Sequence, residues 1–244
     1  MWTIFLKEIS FFFSSIMGYL TIGIFLLMMG LFLWVFPDTS LLNYEAASLE
    51  SFFTLAPWIF MFLIPAITMR SFADEKRAGT IELLLTKPLT EWQIVGGKFL
   101  GSYGVFLLAI LPTFIYYISI YMLGAPKGNI DMGATNGSYI GLILLGAVFT
   151  AIGVFTSSIT NNQIVAFITG VFFCFMFFIA FQYLSFIPAF IGKWDYFIQQ
   201  FGIDAHYTSI SRGVVDTRDL LYFISLVFVF LLFTKTVLDA RKWS

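Results

Sequence analysis

The chain has 244 residues, 59% of them hydrophobic and 11% charged, and a formal net charge of −1. A soluble domain carries roughly a quarter charged residues, so a soluble globular enzyme is excluded, and no basic patch of the size that nucleic acid demands exists. The solvent for most of this chain is lipid, in which its 32 phenylalanines are cheap.

The first fourteen residues, MWTIFLKEISFFFS, place Thr3, Lys7, Ser10 and Ser14 on one helical face, with Trp2, Phe5, Ile9, Phe12 and Phe13 covering the rest. This predicts an amphipathic helix lying in the membrane interface with its polar stripe towards water. The competing reading is an extension of the first span. Six apolar stretches follow, at 16–36, 52–69, 99–123, 139–157, 164–187 and 220–238. The runs are too long and too unalternating for barrel strands, so they read as membrane-spanning helices. The first is longer than a signal-peptide core and reads as a retained span. The fourth is the softest, being rich in Gly and Thr. Nothing divides the chain, and 1–244 reads as one domain.

Between spans two and three the composition changes abruptly. Residues 74–88, DEKRAGTIELLLTKP, hold six charges in a chain that is only 11% charged. Gly79 is placed to break or bend a helix, and Thr80 follows it as an N-cap candidate. Ile81, Leu83, Leu84 and Leu85 form a short apolar surface around Glu82. Pro88 stops that turn, and Thr90 with Gln93 forms a capping-box pattern opening the next helix. The expected product is a bent amphipathic hairpin. Apolar surface rimmed by charge marks a protein contact, whereas a solvated loop would use its charges for topology alone.

Lys and Arg placement sets the orientation. Nine basic residues (Lys7, Arg70, Lys76, Arg77, Lys87, Lys98, Lys235, Arg241, Lys242) fall on the side of both termini, and four (Lys127, Lys193, Arg212, Arg218) fall on the other. Both termini are therefore expected in the cytoplasm. Between their ends the first five spans contain no Asp, Glu, Lys, Arg or His, and the sixth contains only Lys235, near its inner end. This argues against a proton-coupled transporter, a channel with a charged ring, or an enzyme working within the membrane. Asn161–Gln163 reads as a polar inner turn, and the lone Cys174 as a small hydrophobe within span five. The stretch from Pro188 to Asp219 is too polar to span and too apolar for a plain loop, so it reads as a re-entrant-like outer segment. Within it His206 stands near Asp204, Ser209, Ser211 and Asp216, but no third group at a defined spacing orients it for catalysis, and it reads as an interfacial residue. No second His or Cys stands at metal-ligand spacing.

The stretch EKRAGTIELLLTKPLT resembles the signature of ABC-2 type transporter permeases, matching it at Glu75, Gly79, Thr80, Glu82, Leu84, Leu85 and Pro88. The stretches KEISFFFSSIMGYL and TLAPWIFMFLIPAITMRSFADEKRAGTIELLLTKP are similar, more narrowly, to the gliding-motility-associated ABC transporter permeases of Bacteroidota. The resemblance implies an all-α integral membrane protein with six transmembrane helices. It also implies an N-terminal interfacial helix, a cytoplasmic coupling helix between spans two and three, and a re-entrant-like segment between spans five and six. It makes Glu75, Gly79, Thr80, Ile81, Glu82, Leu84, Leu85 and Pro88 the residues that dock a separate ATP-binding subunit.

The chain carries no phosphate-binding loop: Gly96 and Gly97 precede Lys98 without the upstream Gly or the following hydroxyl. ATP and Mg are therefore expected on the partner, and neither enzymatic activity nor a cofactor is expected here. The expected function is the permease subunit of an ATP-driven transporter in the cell inner membrane, paired with a second permease subunit that is either another copy or a different chain. The alternative is a non-transporting scaffold or mechanical subunit that uses the same coupling.

Overall fold

The computed structural model describes all residues except 44–46, 83–87, 189–191, 193 and 242–244. Among the described residues the regular structure is helical, and six helical segments are long and apolar enough to cross a membrane. The chain is an all-α, multi-pass membrane protein.

The N-terminal helix α1 (Trp2–Phe13) is separate from span one, α2 (Ile16–Trp34). The break falls at Ser14–Ser15, where Ser15 Oγ accepts from the Met17 N–H at 3.3 Å and caps α2. Span two is α3 (Glu50–Thr68), and the short α4 (Ala73–Arg77) continues beyond it. Span three starts at Glu91, well before the first of its continuous apolar residues. It comprises α5 (Glu91–Ile110) and α6 (Phe114–Leu123), joined by a 3₁₀ turn at Leu111–Thr113 around Pro112. Span four is α7 (Met132–Ile159). Span five is α8 (Gln163–Phe175) and α9 (Phe181–Ser185), with a π-helical stretch at Met176–Ala180 between them. The re-entrant-like region contains α10 (Asp195–Gln199) and α11 (Ile203–Ser211), and span six is α12 (Thr217–Arg241).

Span four is the hub. In its most apolar stretch 72% of residues are buried inside the fold, against 22% for span one and 17% for span six. Spans two, three, five and six and helix α11 all pack on it. This explains its content of Gly, Ser and Thr. From Gly137 to Ser158 its Gly, Ser and Thr residues are buried against protein, where small side chains let neighbouring helices approach closely.

The region between spans five and six is tied to the bundle by polar side chains. Tyr207 donates to the Phe53 carbonyl at 2.8 Å, and Ser138 of span four donates to the Ser211 carbonyl at 3.1 Å. Backbone at this depth is thereby covered by protein. Cys174 is buried and free.

Candidate functional site

The charged segment after span two is built onto the neighbouring helices. Helix α4 has no cap of its own, and Ser157, from the end of span four, supplies one. Its Oγ accepts from the Phe72 and Ala73 N–H groups at 3.0 and 3.1 Å and donates to the Met69 carbonyl at 2.9 Å. Lys76 donates to the Ser158 carbonyl, and Gln163, at the start of span five, donates to Asp74. The inner turn between spans four and five, which reads as a plain polar turn in sequence, is therefore bolted to α4.

Helix α4 ends where Gly79 is expected to bend the chain. Gly79 takes φ +70°, the Thr80 N–H donates to the Glu75 carbonyl at 3.0 Å, and the Gly79 N–H donates to the Lys76 carbonyl at 3.2 Å. This is a Schellman motif, which satisfies the last carbonyls of a helix and favours glycine at the left-handed position. The capping box at the start of α5 is also present: Gln93 N–H donates to Thr90 Oγ1, and Thr90 N–H donates to Gln93 Oε1.

Behind this bend lies a buried ionic cluster. Lys98 is 1% exposed, and its Nζ donates to Glu8 Oε1 at 2.9 Å and to the Ser71 carbonyl. It also lies 2.9 Å from Glu75 Oε2, an ion pair whose angle falls outside that of a hydrogen bond. The Phe72 ring sits beneath the ammonium, with its centroid 4.8 Å away. Lys7 donates to the other oxygen of Glu75 at 2.7 Å. Burial works against the Lys7 ammonium, but the hydrogen bond and charge of Glu75 outweigh it and raise its pKa. Two lysines and two glutamates thus join α1, α4 and α5. A cation this deep survives only when paired and hydrogen-bonded.

Glycines in α5 bring α1 close enough for these contacts. A Cβ placed on Gly97 would lie 2.9 Å from Ile4 Cβ, and one on Gly101 would lie 2.5 Å from Glu8 Cβ. Helix α1 is accordingly three-sided. Ile4, Phe5, Glu8, Ile9 and Phe12 face the bundle, Thr3, Lys7, Ser10 and Ser14 form the polar stripe, and Trp2, Leu6 and Phe11 remain exposed.

The residues singled out in sequence fall into three groups. Gly79, Thr80, Glu82 and Pro88 are exposed, and Glu82 makes no ion pair with another described residue. Glu75 is committed to Lys7 and Lys98 within the chain, and Ile81, 1% exposed, joins an internal cluster with Ile4, Phe72, Ile94, Val95, Val154 and Leu238. Leu84 and Leu85 lie outside the described residues. Sequence reasoning missed Glu8, Lys98 and Ser157. For Lys98 the available signal was its position beside Gly97, with Gly101 one helical turn further on, a spacing that marks close helix packing.

At the opposite end His206 is buried rather than interfacial. Its Nδ1 lies 2.6 Å from Asp219 Oδ1, its Nε2 lies 3.0 Å from the Gln200 carbonyl, and Tyr222 stacks on its ring. A carbonyl only accepts, so the contact with Gln200 is one in which Nε2 donates, and Nδ1 faces the Asp219 carboxylate. Among the described residues no hydroxyl reaches either ring nitrogen, so no nucleophile is placed for a triad. Nearby, a cavity of about 710 Å³ opens between spans two, four and five and α11, and Asp204 lines it with its pKa raised by burial. No group of three or more metal-ligating side chains occurs among the described residues.

No match emerges among curated proteins. The sequence profile described as "ABC-2 family transporter protein" matches residues 2–241, essentially the whole chain. The six spans, the separate N-terminal helix and the braced bend after span two are the setting in which that match falls. The chain belongs to the ABC-2 family of transporter proteins.

Proposed function

We propose that this permease subunit is driven by a separate ATP-binding subunit that docks on the exposed residues of the bend, Arg77–Thr80, Glu82 and Pro88, with Leu84 and Leu85 completing the contact. One observation carries the reading: the bend is exposed on its outer side, while its inner side is fastened to four other elements. Asp74 and Lys76 reach spans four and five, and Glu75 reaches α1 and span three. A displacement of the bend is thereby shared across the bundle instead of being lost in a loop. In this mechanism Glu82 supplies register to the partner's basic residues, Gly79 sets the bend, and Glu75 and Ile81 anchor the bend from within. ATP and its magnesium are bound and hydrolysed on the partner.

The basic residues gathered at this end support a cytoplasmic location for it, with both termini inside and the spans in the cell inner membrane. The thinly buried spans one, five and six leave room for a second permease subunit. The stretches KEISFFFSSIMGYL and TLAPWIFMFLIPAITMRSF support assignment to a gliding-motility complex.

The test is affinity capture of the tagged chain from its native membrane in mild detergent, with mass spectrometry of the eluate, beside the Glu82→Lys form. An ATP-binding subunit retained by the parent and lost by the variant supports the docking assignment. Equal retention by both removes Glu82 from the contact, and no ATP-binding subunit in either removes the coupling role. A different membrane subunit in the eluate favours a heteromeric permease over a pair of identical chains.

A further inference from the structure

Arg70 stands apart from the ionic cluster beside it. Glu8 and Glu75 share Lys98 and Lys7, and Asp74 is engaged by Gln163. Arg70 has no carboxylate within ion-pairing distance among the described residues. Its hydrogen bond to Ser15 Oγ is long at 3.4 Å, and its Nε is buried without a partner. The next residue, Ser71, is 5% exposed, and its hydroxyl is also buried and unpartnered. A buried guanidinium N–H and a buried hydroxyl left unmade side by side are costly, and they are unusual in a native fold.

Both residues line a pocket of about 300 Å³ between α1 and α4, and Lys7, Glu8, Asp74, Glu75 and Thr80 line it with them. Lys7, Lys98 and Gln163 engage the three carboxylates, which leaves the Arg70 charge without a partner in the wall. That is the liquid volume of roughly ten waters, ample for a phosphoryl group. The pocket adjoins a narrow apolar slot bounded by Phe12, Met17, Thr21 and Val105, and the two share Glu8, Phe11, Arg70 and Ser71. Alongside it, Phe11, Ile16, Met17 and Leu20 of α1 and span one are 49–79% exposed. An anion site of this kind opens onto surface suited to acyl chains and lies at the level where span one begins.

We infer that this pocket binds the phosphate of a membrane phospholipid from the leaflet on the basic side. The Arg70 guanidinium and the Ser71 hydroxyl take the headgroup, Ser15 lines the adjoining slot, and the acyl chains lie against span one and the outer face of α1. Guanidinium pairs with phosphate bidentately, and Arg70 is the cation of this pocket that no carboxylate of the wall neutralises. The lipid sits between α1 and the bend that carries Gly79 and Thr80, so it forms part of the wall behind the docking surface. The inference rests on the cytoplasmic placement of this end, but its test does not depend on the ATP-binding subunit.

The experiment is native mass spectrometry of the purified full chain, delipidated and titrated with phosphatidylglycerol, with diacylglycerol as the phosphate-free control. The expected result is one tightly held phosphatidylglycerol and no retained diacylglycerol. Arg70→Gln weakens that binding about tenfold, or about 1.4 kcal/mol, and Ser71→Ala weakens it about threefold. Lys127→Gln, at the opposite end, leaves it unchanged. Equal binding by the parent and Arg70→Gln overturns the site, and an equal loss in Lys127→Gln reduces it to bulk charge. Displacement of the lipid by millimolar inorganic phosphate reassigns the pocket to a soluble anion. Where Arg70→Gln fails to fold, Ser71→Ala decides, and unchanged affinity in that variant overturns the proposal.

Discussion

Lys98 Nζ lies 2.9 Å from Glu75 Oε2, which joins the start of span three to the charged segment that follows span two. The same ammonium holds Glu8 of the N-terminal helix. One buried cation thus brings together the three elements surrounding the proposed docking surface.

Lys98→Met removes that cation and leaves Glu8 and Glu75 without it. Breaking a buried pair by deleting one partner costs on the order of 3–5 kcal/mol. A clear fall in unfolding temperature in detergent is expected, with partial recovery in the Lys98→Met/Glu8→Gln double variant. A Lys98→Met chain as stable as the parent refutes a structural role for the cluster.

Gly101→Leu drives a side chain into Glu8, because even a Cβ there comes within 2.5 Å of Glu8 Cβ. The helix α1 is expected to lift from α5 at a cost of about 1–3 kcal/mol, and a cysteine introduced at the buried position Ile4 becomes reactive to thiol reagents. Gly23→Leu is the matched control, since nothing lies within 4 Å of a Cβ at that site. Equal labelling in both glycine variants contradicts the packing account.

The His206–Asp219 pair, 2.6 Å apart, pins α11 to the start of span six. Asp219→Asn leaves the ring facing a weaker acceptor and is expected to destabilise by about 3 kcal/mol. The double variant His206→Phe/Asp219→Leu returns towards the parent, because apolar replacement of a whole buried pair is often neutral. Hydrogen exchange across 203–211 reads the effect, and unchanged protection in Asp219→Asn rules it out.

Asp204 supplies a pH prediction. Burial raises its folded pKa above the ordinary 3.8, so between 3.8 and the folded value the native state binds more protons than the unfolded chain. Stability therefore falls as pH rises through that window and stays lower above it. Asp204→Asn is expected to raise the unfolding temperature at pH 7, with the gain vanishing below pH 3.8. A variant less stable at neutral pH would mean that the carboxylate is satisfied in the cavity.

Much of this was legible from local pattern. The Thr90–Gln93 capping box and the reversal at Gly79 depend on residues a few positions apart, and the six spans depend on runs of hydrocarbon side chains that only lipid can solvate. Span four was legible as a helix but not as the hub, since a run rich in Gly and Thr reads as a soft span when it in fact reflects burial against protein. Helix α1 was legible as amphipathic, yet its inward stripe with Glu8 depends on the glycines of α5, nearly a hundred residues later.

By itself, then, the sequence determined the solvent, the number of crossings and the position of the bend, because each follows from short-range periodicity and from the cost of placing polar backbone and charge in hydrocarbon. Only the tertiary structure decided which charges are exposed and which are internal. Glu75 and Glu82 look alike along the chain, but the fold brings Lys7 and Lys98 to the first and places no described cation beside the second. The physical reason is that a charge's fate is set by what lies within a few ångströms of it. For Lys98, Glu8 and Glu75, and for His206 and Asp219, those neighbours are supplied by other helices.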